Sequence, residues 1–200
     1  MLGVSSATLR RLECDNKVKG YGIHVYYTPG GQRRYRTDEI KFFYRDQGFS
    51  GQIGVGKRPV VLVIDCISAF TNKQSPLHSD WDKEIEQINR VIRAAHTSNS
   101  PVIFSHSYYD EKDQGLKLWT KKIKGIEALV MGSSGVSLDP RVITKRSDIH
   151  IYSKYVSVYY QTDLLNILHK YECDTLFICG FSTSASVRAV AMESIQYGIH

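Results

Sequence analysis

The sequence of 200 residues lacks several features that would place it in a specialised class. Its four cysteines are widely spaced and form no Cys-x-x-Cys pair, which argues against a disulfide framework or a zinc site and for reduced thiols. No apolar run approaches the ~18 residues of a membrane span. The N-terminus has no signal-peptide pattern, and no internal repeat or low-complexity tract is present. We therefore expect a cytoplasmic globular protein that does not associate with membranes.

The positive charge of the chain is concentrated in its first quarter. Residues 1–58 contain 11 Lys and Arg and 5 Asp and Glu, whereas residues 59–200 contain 15 of each kind. The formal net charge of +6 therefore lies within residues 1–58. A local basic excess suggests a polyanionic partner, but on charge alone a solvated basic face explains it equally well.

Residues 1–45 contain the patterns of a helix, a hairpin and a second helix. The predicted elements are a helix over 4–12, an extended segment over 18–27, a Thr-Pro-Gly-Gly turn at 28–31, a basic return strand at 32–36 and a helix over 40–45 capped by Thr37. Turn chemistry and spacing agree with one another, which favours a small folded module.

This order of elements resembles the winged helix-turn-helix of MerR-type regulators, on the stretches Gly3 to Arg11 and Thr28 to Tyr35. The resemblance implies binding to double-stranded DNA through residues 1–45, with a helix in the major groove and the wing on the flanking backbone. The implied contact residues are Ser6, Thr8, Arg10, Arg11, Arg33, Arg34 and Tyr35. The family has a further helix before this point, so we expect an incomplete motif. A basic structural module that binds nothing is the alternative.

Residues 46–58 contain four glycines and few large apolar side chains, which predicts a linker. From Pro59 the pattern changes to alternating strands and helices. Strands are predicted over 60–64, 101–104, 149–152 and 175–179, and helices over 82–96, 162–171 and 187–196. The β-branched run at 60–64 is typical of a strand buried on both faces. We predict an α/β three-layer sandwich with a mainly parallel sheet over 59–200.

Three chemically distinctive residues follow predicted strands. Asp65 comes directly after the first strand, Lys154 after the third, and Ser186 in the turn region after the fourth. Sites in parallel sheets lie at the carboxyl ends of the strands, so an acid, a cation and a nucleophile are expected to meet at one edge. Taken singly, each residue is explained as well by a strand-end cap or a solvated side chain.

The stretch Gly180 to Ala189 predicts a strand, a sharp Gly/Ser turn and a helix, an arrangement that aims helix N-terminal amides at a reacting group. It resembles the nucleophile elbow of the isochorismatase-like cysteine hydrolases, in particular the N-carbamoylsarcosine amidase branch. That branch has Thr-Ser-Gly-Cys-Val-Arg-Ala where this chain has Thr-Ser-Ala-Ser-Val-Arg-Ala at 183–189. Residues 61–71 and 153–164 resemble the Asp and Lys motifs of the same family, and the resemblance covers about 59–200.

The resemblance implies hydrolysis of a C–N amide or ureido bond with release of ammonia, in an oligomeric enzyme without a cofactor. Asp65 would be the general base, Lys154 would stabilise developing charge, and backbone N–H groups near Ser182 and Ser186 would hold the oxyanion. A cis peptide between Phe181 and Ser182 is also implied.

The remaining implied residues concern the substrate and a metal. Phe70, Trp119 and Tyr155 are candidate pocket walls, and Arg188 is either a ligand for a substrate carboxylate or a surface cation. No metal is expected, because only His106 lies near the position where the nicotinamidase branch carries its metal-binding group.

Ser186 stands where the family has its cysteine nucleophile. A thiol of pKa ~8.5 ionises readily beside a lysine and a helix N-terminus, whereas a hydroxyl needs a well-placed base, usually a histidine. Three interpretations are open: an engineered Cys replacement, a natural change that leaves a binding module, and a working serine variant. If the serine is a natural change that leaves a binding module, the chain would be a transcriptional regulator that senses a small amide or ureido metabolite. The family also continues beyond Gly198, so we expect a fragment.

Overall fold

The structure is a computed structural model that describes residues 9–14, 23–46 and 55–200. The chain divides into two compact units, Met1–Gly54 and Val55–His200. Ser6 and Thr8, two of the predicted DNA contacts, lie outside the described residues. Within the described part of the chain, no helix has the length and apolar character needed to cross a membrane.

The smaller unit contains a two-stranded hairpin between two helices. Residues 9–14 form helix α1, and strands β1 (Tyr26–Tyr27) and β2 (Arg33–Arg34) pair antiparallel, with Tyr26 opposite Arg34. The Thr-Pro-Gly-Gly turn closes through a 2.8 Å bond from Gly31 N–H to the Thr28 carbonyl. Helix α2 covers Thr37–Asp46. Thr37 is the first helical residue and therefore lies inside the helix instead of at the predicted cap position, while Asp38 and Glu39 occupy the first turn.

The larger unit is built on a parallel sheet of four strands. The strands are β3 (Pro59–Ile64), β4 (Val102–Ser107), β5 (Ile149–Ser153) and β6 (Thr175–Gly180), in the spatial order β5-β4-β3-β6. All neighbouring pairs are parallel. Strand β3 lies between two neighbours and is buried almost throughout, as its β-branched composition predicts. The parallel sheet expected from the sequence is confirmed.

Helices cover both faces of this sheet. They are α4 (Asp82–Thr97) on one face, and α6 (Leu164–Lys170) and α7 (Ser186–Gln196) on the other. Two short helices, α3 (Ser68–Thr71) and α5 (Gln114–Trp119), pack in a separate apolar cluster. Side chains alternate along a strand, so Leu62 packs on one face with Leu164 of α6 and Val190 of α7. Val63 packs on the other face with Ile88 of α4. The result is the expected three-layer arrangement around a core split by the sheet.

The connection between β4 and β5 differs from the sequence prediction. Strand β4 continues to Ser107 instead of ending at Phe104. Its last part contains Ser105 and His106, which are buried despite their polarity. The chain then runs irregularly, with α5 and two 3-10 turns, Ile126–Leu129 and Ser134–Val136. These short elements bury their own apolar cluster, which includes Leu116 and Ile67. This segment supplies one wall of the site described below.

Candidate active site

Asp65 lies directly after β3, at the carboxyl edge of the sheet. Its backbone has a positive φ of 53°, a conformation that Asp tolerates better than most residues. The side chain is 4% exposed and accepts two hydrogen bonds from Ser107, 2.7 Å from the backbone N–H and 2.8 Å from the hydroxyl. Ser107 ends β4, so the two strand ends hold the carboxylate between them.

Burial raises the pKa of Asp65 to about 6, and the hydrogen bonds from Ser107, together with the neighbouring Ser186 side chain, lower it in part. Desolvation disfavours the ionised form of a carboxyl group, whereas donors that point at it favour that form. A carboxylate that titrates near neutral pH is suited to act as a general base, because it is both ionised and able to accept a proton.

The elbow that carries Ser186 is set by close packing of β6 against β3. Gly180 ends β6 with a φ of +116°, and a Cβ there would lie 1.9 Å from the Ile64 carbonyl oxygen. The Phe181–Ser182 peptide bond is cis. The Ser182 carbonyl accepts hydrogen bonds from the Ala185 and Val187 amides. Ser186 is the first residue of α7, so its position coincides with the positive end of the helix dipole.

A pocket of about 330 Å³ opens beside Asp65 and Ser186. Its aromatic lining residues are Phe70, Trp81, Tyr109, Trp119, Tyr155 and Phe181, and its aliphatic ones include Leu77, Ile123, Ile126, Leu129 and Val156. The rings of Trp81 and Phe181 stack with their centroids 4.6 Å apart. Few polar groups converge on an apolar cavity, which is the usual composition of a small-molecule site.

Lys154 also lines this pocket, but its amine is paired with two carboxylates of the segment that follows β4. It forms ion pairs with Asp110 and with Asp113, the latter at 3.0 Å. The hydrogen bonds to Asp110 and Asp113 raise the pKa of Lys154. Within the described residues, its ion-pair partners do not include Asp65.

Most of the residues predicted for the site lie together. Those that line the pocket are Asp65, Phe70, Trp119, Lys154, Tyr155, Phe181, Ser182 and Ser186. Arg188 is exposed on α7 and is not among the lining residues. Ser107 was not predicted for the site, although it also ends a parallel strand and the same strand-end rule applies to it. Nor were Trp81, Asp110 and Asp113, for which no local pattern exists.

His106 has a structural environment outside the pocket. Its Nδ1 lies 2.9 Å from the Val136 carbonyl oxygen and its Nε2 lies 2.9 Å from Nδ1 of His150. Burial lowers the pKa of His106. Across the described ranges, no three His, Cys, Asp or Glu side chains are placed to hold a metal ion together.

In the smaller unit, the predicted DNA contacts have different environments. Arg33 forms a 3.1 Å ion pair with the buried Glu13, which also accepts a hydrogen bond from the Tyr27 hydroxyl. Arg34 is exposed and donates to the Gln32 side chain. Arg10 and Arg11 are exposed on α1, and Tyr35 is half-buried. Arg33 therefore ties the hairpin to α1, whereas Arg10, Arg11 and Arg34 face solvent.

Comparisons with known proteins agree with this geometry. The maleamate amidohydrolase of Pseudomonas putida is 27% identical over 157 residues, which cover 76% of this chain and 73% of that protein. The N-carbamoylsarcosine amidase of an Arthrobacter species is 27% identical over 161 residues, 78% of this chain and 61% of that protein. The structure of N-carbamoylsarcosine amidase from Thermoplasma acidophilum shares the fold, with a TM-score of 0.63 at 19% identity over 72% of this chain and 79% of that one. The model of the isochorismatase domain matches residues 59–200, most of the chain, and the chain therefore belongs to the isochorismatase domain family.

Proposed function

We propose that residues 59–200 form an amidohydrolase domain that cleaves the C–N bond of a small amide or ureido compound and releases ammonia. The observation that carries this proposal is the Asp65 carboxylate, which is buried and lines the same pocket as Ser186. A base in the same pocket as the residue at the nucleophile position is the minimal machinery for acyl transfer. Two relatives named as amidases or amidohydrolases support the same chemistry.

In the proposed reaction, the side chain of residue 186 attacks the substrate carbonyl carbon while Asp65 takes its proton. Amide N–H groups near Ser182 and at the start of α7 hold the oxyanion of the tetrahedral intermediate. Collapse of the intermediate breaks the C–N bond, and the leaving nitrogen takes the proton from Asp65 and departs as ammonia. Water, activated by Asp65, then hydrolyses the acyl-enzyme and regenerates both side chains.

The identity of residue 186 sets the rate of this reaction. Asp65, with a pKa of about 6, is a weak base for a hydroxyl, whose pKa lies far above it. It is much better matched to a thiol of pKa ~8.5. We therefore propose that the chain with Ser186 binds its substrate but turns it over slowly, and that a cysteine at 186 restores fast chemistry.

A second candidate function is a regulator in which the pocket senses its ligand and residues 1–45 bind double-stranded DNA. Two observations favour it: the serine at position 186, and the pairing of Lys154 with Asp110 and Asp113 rather than with Asp65. The exposed arginines of the smaller unit are the proposed phosphate contacts. On the family resemblance, we further propose a homo-oligomer that works in the cytoplasm.

Ammonia release distinguishes the two functions. The chain, Ser186→Cys and Ser186→Ala are compared on N-carbamoyl amino acids, maleamate, nicotinamide and benzamide. We expect Ser186→Cys to exceed the unmodified chain by ~100-fold or more, and Ser186→Ala to be inactive. If neither the serine nor the cysteine form releases ammonia, while both keep their circular dichroism and bind ligand, the amidohydrolase proposal is wrong and the sensor replaces it.

A further inference from the structure

The charges around the pocket point to a substrate class. Resting on the proposed function, we infer that this site selects an uncharged amide or urea with an aromatic or bulky apolar group, and that it discriminates against compounds that carry a carboxylate. The inference concerns selectivity within the same pocket, so it can fail while the proposed chemistry holds.

The shape and lining of the pocket favour a ring. The stacked pair Trp81 and Phe181 forms one wall, and Trp119 contributes another large aromatic surface. A cavity of about 330 Å³ is large enough for a ring-bearing small molecule. Burying an aromatic group between such side chains is favourable, both through its apolar area and through ring–ring contacts.

The same pocket offers no available positive charge within the described residues. Lys154 is the cationic side chain of the lining, and its amine is held by two carboxylates, Asp110 and Asp113. Those three side chains together carry a net negative charge, to which the ionised Asp65 adds at neutral pH. Arg188 is exposed and outside the lining.

A carboxylate brought into this environment would lose its water without gaining a cation. An unpaired buried charge is strongly unfavourable, and a nearby negative charge adds repulsion. An amide or urea group has no such penalty, because its N–H groups can donate to Asp65 and its carbonyl oxygen can accept from amides at the start of α7. The polar end of a neutral substrate is therefore satisfied, and its apolar end fills the aromatic cavity.

Tryptophan fluorescence tests this inference directly, because both tryptophans of the chain, Trp81 and Trp119, line the pocket. Titrations use Ser186→Ala, so that ligands are not consumed. Two pairs compare a neutral compound with a carboxylate that has the same amide or ureido group: phenylurea against 4-ureidobenzoate, and the methyl ester of maleamate against maleamate. We expect the neutral member of each pair to bind at least ~10-fold more tightly.

The three outcomes separate the inference from the proposed function. Tighter binding of the neutral compounds supports the inference. Equal or tighter binding of the carboxylates overturns it and leaves the amide site standing. Failure of all four compounds to change the fluorescence, with the circular dichroism intact, counts against both.

A variant that frees the amine of Lys154 tests whether the pairing of this amine with two carboxylates causes the selectivity. Asp110→Asn with Asp113→Asn keeps acceptor oxygens for the local turn and frees the amine of Lys154, so the affinity for 4-ureidobenzoate should rise several-fold while that for phenylurea stays constant. Adding Lys154→Met to this double variant should remove the gain. If the double variant leaves carboxylate affinity unchanged, the pairing of Lys154 does not set selectivity and the inference is wrong.

Discussion

At the scale of single residues, Asp65 combines conformation, burial and charge at one position. Its positive φ turns the chain sharply after β3, and its side chain is enclosed by the end of β4 and the start of α7. Because the folded protein raises the pKa of this carboxyl group from 3.8 to about 6, the folded state binds its proton more tightly than the unfolded chain does. The contribution of the protonated Asp65 carboxyl group to folding stability is fully present below about pH 4 and is lost as the pH rises through 6.

Asp65→Asn should reveal this linkage. A shift from 3.8 to about 6 corresponds to about 3 kcal/mol, so the variant should gain up to ~3 kcal/mol of unfolding free energy relative to the unmodified chain between pH 4 and pH 7.5. Urea unfolding of both proteins, followed by tryptophan fluorescence at each pH, measures the difference. A difference that does not change with pH would contradict the buried, titrating carboxylate. The same variant should lose ammonia release, because an amide cannot accept the proton.

At the scale of elements, the elbow depends on how closely β6 approaches β3. Gly180 pairs with Ile64 in the parallel register, and its positive φ of 116° directs the chain into the turn that carries Ser182 and Ser186. A side chain at 180 would collide with the backbone of β3. The position of the nucleophile is thus fixed by a backbone contact at the carboxyl ends of β3 and β6.

Gly180→Ala should therefore be severely destabilising. The clash with the Ile64 carbonyl oxygen adds to the strain of a positive φ, and we expect a loss of at least ~3 kcal/mol. The matched control is Gly132→Ala, since Gly132 also has a positive φ, of 88°, but has open space at its Cβ position. That control should lose only ~1 kcal/mol. Thermal unfolding of the two variants measures both effects, and equal losses would show that conformational strain alone, without the clash, accounts for the result.

The elements show how far the sequence determines such a site. Strands β3 and β6 are continuous apolar runs and helix α4 has clear apolar periodicity, so the strand-end rule placed Asp65 and Ser186 on the same edge. The polar end of β4 and the irregular segment from 108 to 148 have no such periodicity. Asp110 and Asp113, the partners of Lys154, lie in that segment. The conformation of the segment is decided by tertiary packing of Leu116 and its neighbours rather than by local propensity, so the pairing could not be predicted from the sequence.

At the scale of the whole molecule, the net positive charge lies in residues 1–58, whereas the charges of residues 59–200 balance. The larger unit belongs to a known enzyme family, so its pocket was accessible to prediction from motifs. In the smaller unit the sequence showed which residues are basic, but not which of them form ion pairs within the protein. The structure separates them: Arg33 is held by the buried Glu13, whereas Arg34 faces solvent. If this unit binds DNA, the two arginines should have different roles.

Arg34→Ala tests the proposed DNA contact. A solvent-facing arginine that neutralises one phosphate releases about one counterion, so its removal should weaken binding to duplex DNA several-fold and reduce the slope of log affinity against log salt by ~1. Fluorescence anisotropy over a series of salt concentrations measures both. Lys83→Ala, which removes an exposed charge from α4 in the larger unit, serves as the matched control and should leave the slope unchanged. Arg33→Ala should instead loosen the hairpin, because it leaves Glu13 without this ion pair, and it should lower thermal stability. Equal slopes for Arg34→Ala and the unmodified chain would exclude Arg34 as a phosphate contact, and a complete lack of DNA binding would make the basic face of this unit a solvated surface.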